Sequence, residues 1–510
     1  MSEADALEKF DRFLSIVDDR YMDDVDAGKL VEDAIVEVLT QLDPHSVYFT
    51  KEELEEVNEP LEGNFEGVGI QFNLLRDTIV VVSVISGGPS EKVGLLAGDK
   101  IVQIDTEMVA GIGMTNKGVT DRLRGKKGTR VSVWVERKGS KKPLEFKITR
   151  DVIPLYSIDA QYMATPETGY IRVSKFAATT TDEFSAALSK LKGQGMQNLI
   201  LDLRGNGGGY LNAAIDMANE FLPAKKLIVY TDGRAYPRQD AYATGAGTML
   251  SGKVIVLIDE GSASASEIVT GALQDWDRAL VIGRRSFGKG LVQRSFNLPD
   301  GSAIRLTVSR YYTPSGRCIQ KPYDDGLEAY HNELNERYRD GELTADSSFQ
   351  YPDSLKFYTS GHRLVYGGGG IMPDLYIALD TSWATDYYAE VVGKGIVNQF
   401  SLTYVNAHRD DLKKKYADAF AFNKGFVVDD KLWKEFFAYA EKDSVEKNAE
   451  DFDKCADKLS TVIKAVIARD LYDFEAYWIV SNSKDEAYMR ALDALQDDTF
   501  QKMKIAALDK

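Results

Sequence analysis

The chain has 510 residues, of which 44% are hydrophobic and 28% are charged, an ordinary balance for a soluble globular protein. Because single cores rarely grow beyond about 250–300 residues, this length predicts two to four domains. The formal net charge of −17 and the lack of a basic stripe with interleaved aromatic residues argue against nucleic acid as a partner, and no apolar run approaches the ~20 residues that cross a membrane.

The cysteines and histidines predict neither a disulfide framework nor a metal site. Cys318 and Cys455 lie in regions that we assign to different domains, so two unpaired thiols are expected. The four histidines are scattered, none has HExxH spacing, and no CxxC pair is present, so no metal or other cofactor is expected. The acidic N-terminus lacks the apolar part of a secretory signal, which fits either a cytoplasmic protein or a trimmed chain.

Periodicity divides the chain into four regions. Residues 1–62 have apolar side chains at helical spacing and are predicted to be helical. Residues 63–150 change to short alternating strands punctuated by glycine. In residues 151–380 predicted strands alternate with predicted helices, which favours an α/β layered architecture. Residues 381–510 return to a helical pattern without a catalytic signature and are expected to form a helical accessory domain.

The third region contains the clearest individual elements. They are strands at 170–173, 198–202 and 254–258, and helices at 181–191, 211–221 and 264–276. The candidate functional segments lie between these strands and helices.

A glycine-rich loop opens the second region. In Gly67-Val68-Gly69-Ile70, successive N–H groups can point into one concavity that binds a carboxylate, while the next strand pairs with an extended peptide. A glycine-rich β-turn without a ligand would have the same local sequence. With its flanking segments, however, the loop resembles a PDZ domain, which implies that Val68, Gly69 and Ile70 offer N–H groups to the C-terminal carboxylate of a peptide.

A serine run joins a predicted strand to a predicted helix at 262–267, with the sequence Ser-Ala-Ser-Ala-Ser-Glu. A serine at a helix N-terminus lies near free N–H groups that can stabilise an oxyanion, so Ser264 is a candidate nucleophile. Ser264 and Glu267 also fit a capping box, in which the serine serves only as a helix N-cap. The local sequence leaves both interpretations open.

A nucleophilic serine needs a base, and the histidines lie in unrelated contexts. Lys289 is the candidate, because two glycines flank it and its apolar neighbours include Phe287 and Leu291, a setting that lowers the pKa of an amine. To act near neutral pH, that pKa has to fall by roughly 2–3 units from ~10.4. If Lys289 to Gln293 is one strand, Gln293 faces the same way and can hold the amine. A solvated surface lysine is the alternative.

A second glycine loop, Asp-Leu-Arg-Gly-Asn-Gly-Gly-Gly at 202–209, follows a predicted strand. Its glycines let a backbone N–H approach a ligand closely. A phosphate loop is a competing interpretation, but neither GxxxxGKS nor GxGxxG with a later ribose-binding acid is present. We expect the N–H groups of Gly209 and Ala265 to form an oxyanion hole.

These segments, in this order, resemble the C-terminal processing peptidases, also called tail-specific proteases. The resemblance covers about residues 30–380 and depends on the turn at 202–209, the serine run at 262–267, Phe-Gly-Lys-Gly at 287–290 with Gln293, and the segments 42–46 and 370–374. It implies that Ser264 is the nucleophile, that Lys289 is the base and that Gln293 orients the lysine. It also implies an α/β multidomain fold, with a crotonase-like layered core, an inserted PDZ domain, N-terminal helices and a C-terminal helical domain.

The resemblance further implies a serine endopeptidase that recognises protein or peptide substrates through their C-terminal tails. It implies a place in the periplasm or cell envelope, with this chain as a mature or trimmed form, and a homo-oligomer is among the assemblies it allows. A non-catalytic PDZ scaffold and an acyl-CoA enzyme with a crotonase-type oxyanion hole remain as alternatives. Asp275 is expected to be structural, paired with Arg278 or capping nearby backbone.

Overall fold

The computed structural model describes residues 2–75, 77–85, 87–137, 139–345 and 352–505. The first region is helical, as predicted, with a short strand before its last helix. Its elements are α1 (Glu3–Arg20), α2 (Ala27–Thr40), β1 (Val47–Phe49) and α3 (Lys51–Glu62). Hydroxyl caps help to explain where helices begin, since Thr50 accepts the N–H of Glu53 at 3.3 Å at the start of α3.

Residues 63–150, called the PDZ region below, form an antiparallel sheet flanked by short helices. Its elements are β2 (Asn64–Gly67), β3 (Ile70–Leu74), β4 (Ile79–Val84), α4 (Pro89–Val93), β5 (Lys100–Ile104), β6 (Glu107–Met108), α5 (Asn116–Leu123), β7 (Arg130–Glu136) and β8 (Leu144–Thr149). The sheet order is β3-β4-β5-β7-β8, with β6 beside β5. Within the described residues, β3 is therefore an edge strand. Along β7 the side chains of Val131, Val133 and Val135 alternate into the core, as the period of two predicts.

The third region alternates strands and helices. Its elements are β9 (Asp151–Pro154), β10 (Ile158–Met163), β11 (Thr168–Val173), α6 (Thr180–Gly193), β12 (Asn198–Asp202), α7 (Leu211–Asn219), β13 (Leu227–Asp232), β14 (Gln239–Tyr242), β15 (Val254–Ile258), α8 (Ala265–Asp275), β16 (Leu280–Gly283), β17 (Leu291–Asn297), β18 (Ala303–Tyr312), α9 (Leu327–Arg339), β19 (Lys356–Tyr358), β20 (Leu364–Tyr366) and β21 (Leu375–Tyr376). The first strand, β9, pairs with β2 and so joins the PDZ region to the core. The predicted α/β layered architecture is confirmed.

The main sheet has the order β10-β11-β12-β15-β16-β21, and every pair after the first is parallel. Both faces are covered, which explains why β15 is apolar and buried at every position. Leu201 on β12 packs in one core with α6, α7 and α8, whereas its neighbour Ile200 packs in another core with Tyr488 and Leu495 of the C-terminal helices. The glycine loop and the serine run both leave this sheet at the carboxyl ends of parallel strands.

A second sheet, with the order β1-β18-β13-β14 and β17 on the side of β18, lies beside the first. It pairs Val47 to Phe49 of the N-terminal region with Arg305 to Ala303 of β18. Strand β17, which follows Lys289 in the chain, also pairs with β18. This sheet therefore brings the N-terminal segment and the lysine segment to the same place.

Residues 381–510, the helical region, contain α10 (Asp386–Gly393), α11 (Ile396–Lys415), α12 (Ala419–Gly425), α13 (Asp430–Lys442), α14 (Ala449–Leu471), α15 (Phe474–Asn482), α16 (Glu486–Gln496) and α17 (Thr499–Lys502). The region contacts two other parts of the chain. Leu402 on α11 is buried against Val80 and Val82 of the PDZ region, and the last helices cover one face of the main sheet. The role of this region therefore includes completing the core.

The predicted multidomain organisation, with N-terminal helices, a PDZ region, an α/β core and C-terminal helices, is confirmed, while the boundaries at 62, 150 and 380 stay predictions. Cys318 and Cys455 are free thiols, as predicted. Across the part of the chain that the structure describes, no helix combines the length and the apolar character that crossing a bilayer requires.

Candidate active site

Ser264 lies at the turn between β15 and α8 in a backbone conformation that is rare for a residue with a side chain. Its φ is +53° and its ψ is −110°. Such a conformation costs on the order of 1–3 kcal/mol and persists only when the surroundings hold it. The side chain remains partly exposed although every residue of α8 is buried. The turn therefore presents the serine at the surface of an otherwise buried element.

The carboxylate of Glu267 holds this turn against the lysine segment. One of its oxygens, Oε2, accepts the backbone N–H of Ser264 at 2.8 Å and that of Lys289 at 2.9 Å. The other oxygen, Oε1, accepts the Ser286 hydroxyl at 2.5 Å and the Gly288 N–H at 2.7 Å. The acidic half of the predicted capping box is thus present, but the same carboxylate also ties together two segments that are distant in the chain.

Glu267 is completely buried, and that burial raises the pKa of its carboxyl to about 7. The four donors act in the opposite direction, because each of them stabilises the charged form. All four are donors, so a neutral, protonated carboxyl would leave one of them without its acceptor.

The hydroxyl of Tyr311 makes a second connection between the same two segments. It lies 2.5 Å from the carbonyl oxygen of Lys289 and 3.1 Å from that of Ser264, and shares its hydrogen between them. Tyr311 is fully buried on β18. The backbones of Ser264 and Lys289 are therefore joined twice, through their N–H groups by Glu267 and through their carbonyl groups by Tyr311.

The amine of Lys289 lies in surroundings that disfavour its charge. Burial lowers the pKa of Lys289, the positive charge of Arg305 lowers it further, and the negative charges of Glu267 and Asp43 act in the opposite direction. Lys289 is partly buried, so the interpretation as a fully solvated surface lysine is wrong. Among the described residues, no hydrogen bond joins Ser264 Oγ to Lys289 Nζ.

The hypothesis that one continuous strand runs from Lys289 to Gln293 is wrong. Strand β17 begins at Leu291, and its register against β18 shifts between Val292 and Gln293. A register shift ends the strict alternation of side chains, so alternation no longer places Gln293 on the same face as Lys289. The amide nitrogen of Gln293 donates to Thr307 Oγ1 at 3.2 Å, and the role of Gln293 in orienting the lysine stays a prediction.

Asp43 of the N-terminal segment continues this network, although it was not predicted as a site residue. Its Oδ1 accepts the hydroxyl of Thr307 at 2.9 Å and the N–H groups of His45 and Ser46. Its Oδ2 accepts the Ser46 hydroxyl at 2.6 Å. Gln293 is thereby connected through Thr307 to Asp43. Asp43 could have been identified as a candidate from the resemblance of segment 42–46 to the family.

His45 also lies near the lysine, so the expectation that all four histidines occupy unrelated contexts is wrong for His45. Burial lowers the pKa of His45 to about 4, and the charge of Lys289 contributes to the same shift. Its Nε2 atom is 2.7 Å from the hydroxyl of Tyr330. His45 is therefore neutral at pH 7, and its ring nitrogen is engaged with a tyrosine.

The glycine loop at 202–209 packs directly on the serine turn. A Cβ added to Gly208 would lie 2.8 Å from Ser264 Cβ and 3.0 Å from Ala265 N. A Cβ added to Gly209, where φ is +147°, would lie 2.1 Å from the carbonyl oxygen of Phe176, so both positions require glycine. In the described residues, neither Gly209 N–H nor Ala265 N–H has a backbone acceptor. Both donors predicted for the oxyanion hole therefore belong to segments that contact one another at Ser264.

Asn206 attaches this loop to the serine run. Its side-chain nitrogen donates to the carbonyl of Val173 at 2.9 Å. The backbone carbonyl oxygen of Asn206 accepts the Ala263 N–H at 2.9 Å and the Ser266 hydroxyl at 2.8 Å. Asn206 is fully buried. Side chains of the serine run other than Ser264 therefore have structural partners.

Asp202 and Arg204 at the start of the loop form a buried ion cluster. Burial alone would raise the pKa of Asp202, but the guanidinium groups of Arg204 and Arg172 hold it below its ordinary value. Arg204 also donates to Asp485 of the helical region at 2.8 Å. The loop is thereby anchored from both the core and the C-terminal helices, and the competing interpretation as a phosphate loop receives no support from its contacts.

Asp275 is structural and its Oδ2 accepts the backbone N–H of Ser315 at 2.9 Å, in line with the expected contact to backbone, but its charged partner differs from the one expected. Arg317 donates to Asp275 at 2.7 Å and both side chains are fully buried. Arg278 instead donates to the carbonyl groups of Phe221, Met249 and Gly252. The expected pairing with Arg278 is therefore wrong, because buried carbonyl groups converge on that guanidinium.

In the PDZ region, the predicted carboxylate-binding loop leads into the edge strand β3. Gly69 has a φ of +75°, which glycine adopts without strain. The N–H of Ile85 donates to the carbonyl of Gly69, which makes Ile70 and Val84 a non-hydrogen-bonded pair of the ladder. The N–H of Ile70 therefore points away from β4 towards the edge. Val68 is buried, and its side chain belongs to the core of the sheet.

Comparison with known families gives matches in each region. A model of peptidase family S41 matches residues 167–328, a PDZ domain model matches 67–148, and a model of the N-terminal domain of the activating protease CtpB matches 1–53. A family of unknown function matches 387–473, within the helical region.

Similar proteins carry related descriptions. The chain is 40% identical over 319 residues to a carboxy-terminal-processing protease of Bartonella bacilliformis, covering 62% of this chain and 72% of that one. It is 36% identical over 328 residues to the carboxy-terminal processing protease CtpB of Bacillus subtilis, covering 63% and 67%. A solved structure of a photosystem II D1 C-terminal processing protease is 29% identical, covers 63% of this chain and 91% of its own, and has a TM-score of 0.35.

The curated relatives are matched over two thirds or more of their length at identities well above 30%, and the S41 and PDZ models match in the order that the structure shows. The chain belongs to the S41 family of C-terminal processing proteases and is a serine peptidase.

Proposed function

We propose that the protein cleaves polypeptides whose C-terminal tails it captures, through an acyl-enzyme on Ser264 with neutral Lys289 as general base. The observation that carries this proposal is the double connection of the two backbones by Glu267 and Tyr311, next to an amine whose pKa is lowered. If Ser264 served only as a helix N-cap, the fold would not require the buried Glu267 carboxylate to accept the N–H groups of both Ser264 and Lys289 through one oxygen.

In the first step, Lys289 Nζ takes the proton of Ser264 Oγ, and Oγ forms a bond to the scissile carbonyl carbon. The N–H groups of Gly209 and Ala265 would hold the resulting oxyanion. The carbon–nitrogen bond then breaks, and Lys289 gives its proton to the leaving amine. Lys289 then takes a proton from water as the water oxygen bonds to the acyl carbon. The bond between that carbon and Ser264 Oγ breaks, and Lys289 returns the proton to Oγ, which releases the shortened product and restores the enzyme.

The hydrogen bond between Ser264 Oγ and Lys289 Nζ that the first step requires would form when substrate binds, since catalytic hydrogen bonds often tighten only at that point. The PDZ region would supply the captured tail, with the loop around Val68, Gly69 and Ile70 on its carboxylate and the edge of β3 pairing with its backbone.

Ser264→Ala is expected to abolish cleavage of an unfolded protein such as casein, and of a peptide with a free C-terminus, because no acyl-enzyme can form. The measurement is product formation by mass spectrometry, together with the melting temperature as a check on folding. The control is Ser185→Ala, on the helix α6. Cleavage by Ser264→Ala at the wild-type rate would contradict the assignment of Ser264 as the nucleophile. Absence of cleavage by the wild-type chain, with tail binding intact, would instead favour a scaffold.

Arg305→Gln is expected to move the rising limb of the pH profile of kcat/KM to higher pH. The charge of Arg305 lowers the pKa of Lys289, so removing that charge should raise the pKa. At a given pH, a smaller fraction of Lys289 is then in the neutral form that acts as a base. In the wild-type chain the limb should lie below the 10.5 of an ordinary lysine. Arg310→Gln, on the same strand but exposed, is the matched control. An unmoved limb in Arg305→Gln would contradict the assignment of the limb to Lys289.

A further inference from the structure

The PDZ region is basic although the chain is acidic. Residues 63–150 contain 15 basic and 9 acidic side chains, whereas the whole chain has a formal net charge of −17. A module of opposite sign attracts ligands that the rest of the surface repels. The contrast therefore points to an acidic ligand for this region in particular.

Part of this positive charge surrounds a pocket of about 340 Å³, a size that accommodates a side chain or two rather than a whole folded partner. The pocket lies between α4, the segment after α5, and the end of β8. Its lining consists of Pro89, Lys92, Val93, Lys127, Gly128, Lys147, Thr149, Arg150 and Asp151. Four cationic side chains thus face one acidic side chain.

The pocket borders the predicted carboxylate-binding loop. Asp151 in the pocket wall is the strand partner of Gly67 at the start of that loop. Pro89, also in the wall, has its Cδ atom 3.4 Å from where a Cβ on Gly69 would lie. The pocket therefore adjoins the loop that would hold the last residue of a captured peptide.

The four cations differ in how they are engaged. Arg150 is fixed by the carbonyl groups of Leu123 and Arg122, at 3.0 and 2.8 Å. Lys127 forms an ion pair with Asp151 at 2.9 Å. Lys147 and Glu145 are 3.6 Å apart, both on the surface.

Lys92, on α4, is exposed, and its charge contributes to lowering the pKa of Asp151 across the pocket. Because exposed pairs such as Lys147 with Glu145 contribute little, Lys92 and Lys147 are the two cations most available to a ligand.

We propose that this pocket binds an acidic side chain among the last few residues of a substrate tail, so that the protease prefers tails with Asp or Glu next to their C-terminal residue. The proposal depends on tail capture by the PDZ region, described above, and adds a class of substrate to it. Arg150 forms the fixed wall of the pocket, Lys127 pairs with Asp151 at its rim, and Lys92 and Lys147 close on the incoming carboxylate.

The test is binding of fluorescein-labelled ten-residue peptides to the full chain carrying Ser264→Ala, measured by anisotropy. One peptide has Asp-Glu before a C-terminal alanine and its match has Asn-Gln. We expect the acidic peptide to bind about five- to tenfold more tightly at low salt, and this preference to shrink at high salt because exposed charges are screened. The double variant Lys92→Gln/Lys147→Gln should bind the acidic peptide as weakly as the neutral one, with the neutral peptide unaffected.

The matched control is Lys141→Gln/Lys142→Gln, which removes the same charge from exposed positions of the same region outside the pocket. It should retain the preference for the acidic peptide. Equal binding of the two peptides, or a preference that survives Lys92→Gln/Lys147→Gln, would overturn the pocket proposal. C-terminal amidation tests tail capture separately, since amidation that leaves the affinity of the neutral peptide unchanged would overturn capture of the terminal carboxylate.

Discussion

Lys289→Ala is expected to lower kcat/KM for peptide cleavage by about 10³–10⁴-fold without loss of fold, because it removes the group that accepts the serine proton and later protonates the leaving amine. The main-chain contacts of position 289, to Glu267 and Tyr311, do not depend on the side chain and should survive. The measurement is steady-state cleavage of a peptide with a free C-terminus, compared with the melting temperature of the same variant.

Lys289→Arg makes the test sharper. An arginine keeps the positive charge but does not lose its proton in proteins, so it cannot act as a base. We expect the arginine variant to be as inactive as the alanine variant. Lys413→Ala, on an exposed face of α11, should have wild-type activity. Substantial activity in Lys289→Arg would show that the site needs a cation at this position and not a neutral amine.

Glu267→Gln is expected to lower both stability and activity. A glutamine presents one acceptor oxygen and one NH₂ group to four donors, so at least one buried donor loses its acceptor. We expect a loss of roughly 2–4 kcal/mol in the free energy of unfolding and a fall in kcat/KM of about 10²-fold, because the serine and lysine segments are no longer held in register. Denaturant unfolding and peptide cleavage measure the two effects.

The pH dependence of stability gives Glu267 a specific signature. Its folded pKa of about 7 lies above the ordinary value of 4.5, so between these pH values the folded chain holds a proton that the unfolded chain has lost. This group therefore lowers the free energy of unfolding as pH rises through that window, and Glu267→Gln should lack the contribution.

Two comparisons test the Glu267 prediction. Ser286→Ala removes one of the four donors to the carboxylate and also the acceptor of the Ile371 N–H, but it leaves the Ser264 and Lys289 contacts in place, so its effect on activity should be smaller. The exposed Glu328→Gln should have no effect. If Glu267→Gln matched the wild-type chain in stability and activity, the network would not hold the site together.

Elements with a strong local signal were predictable. The strands at 198–202 and 254–258 match β12 and β15, because continuous apolar runs between glycine turns have few other solutions in an α/β layer. The helix predicted at 264–276 differs from α8 by one residue at each end. Lys289 and Gln293 were identified as candidates from the motif and from their neighbours. The relative orientation of their side chains could not be predicted, because alternation alone does not reveal the register shift in β17.

Periodicity, glycine turns and a motif within a short stretch of chain were enough to predict the order of regions, the elements of the core, and the candidates Ser264 and Lys289. The folded chain was needed to find that Glu267 and Tyr311 join the serine to the lysine, and that Asp43 reaches Gln293 through Thr307. Such contacts connect residues that are far apart in the chain, and their hydrogen bonds exist only once separate strands have paired. Local conformational preferences act over a few residues, whereas burial and the positioning of charges depend on which segments the whole fold brings together.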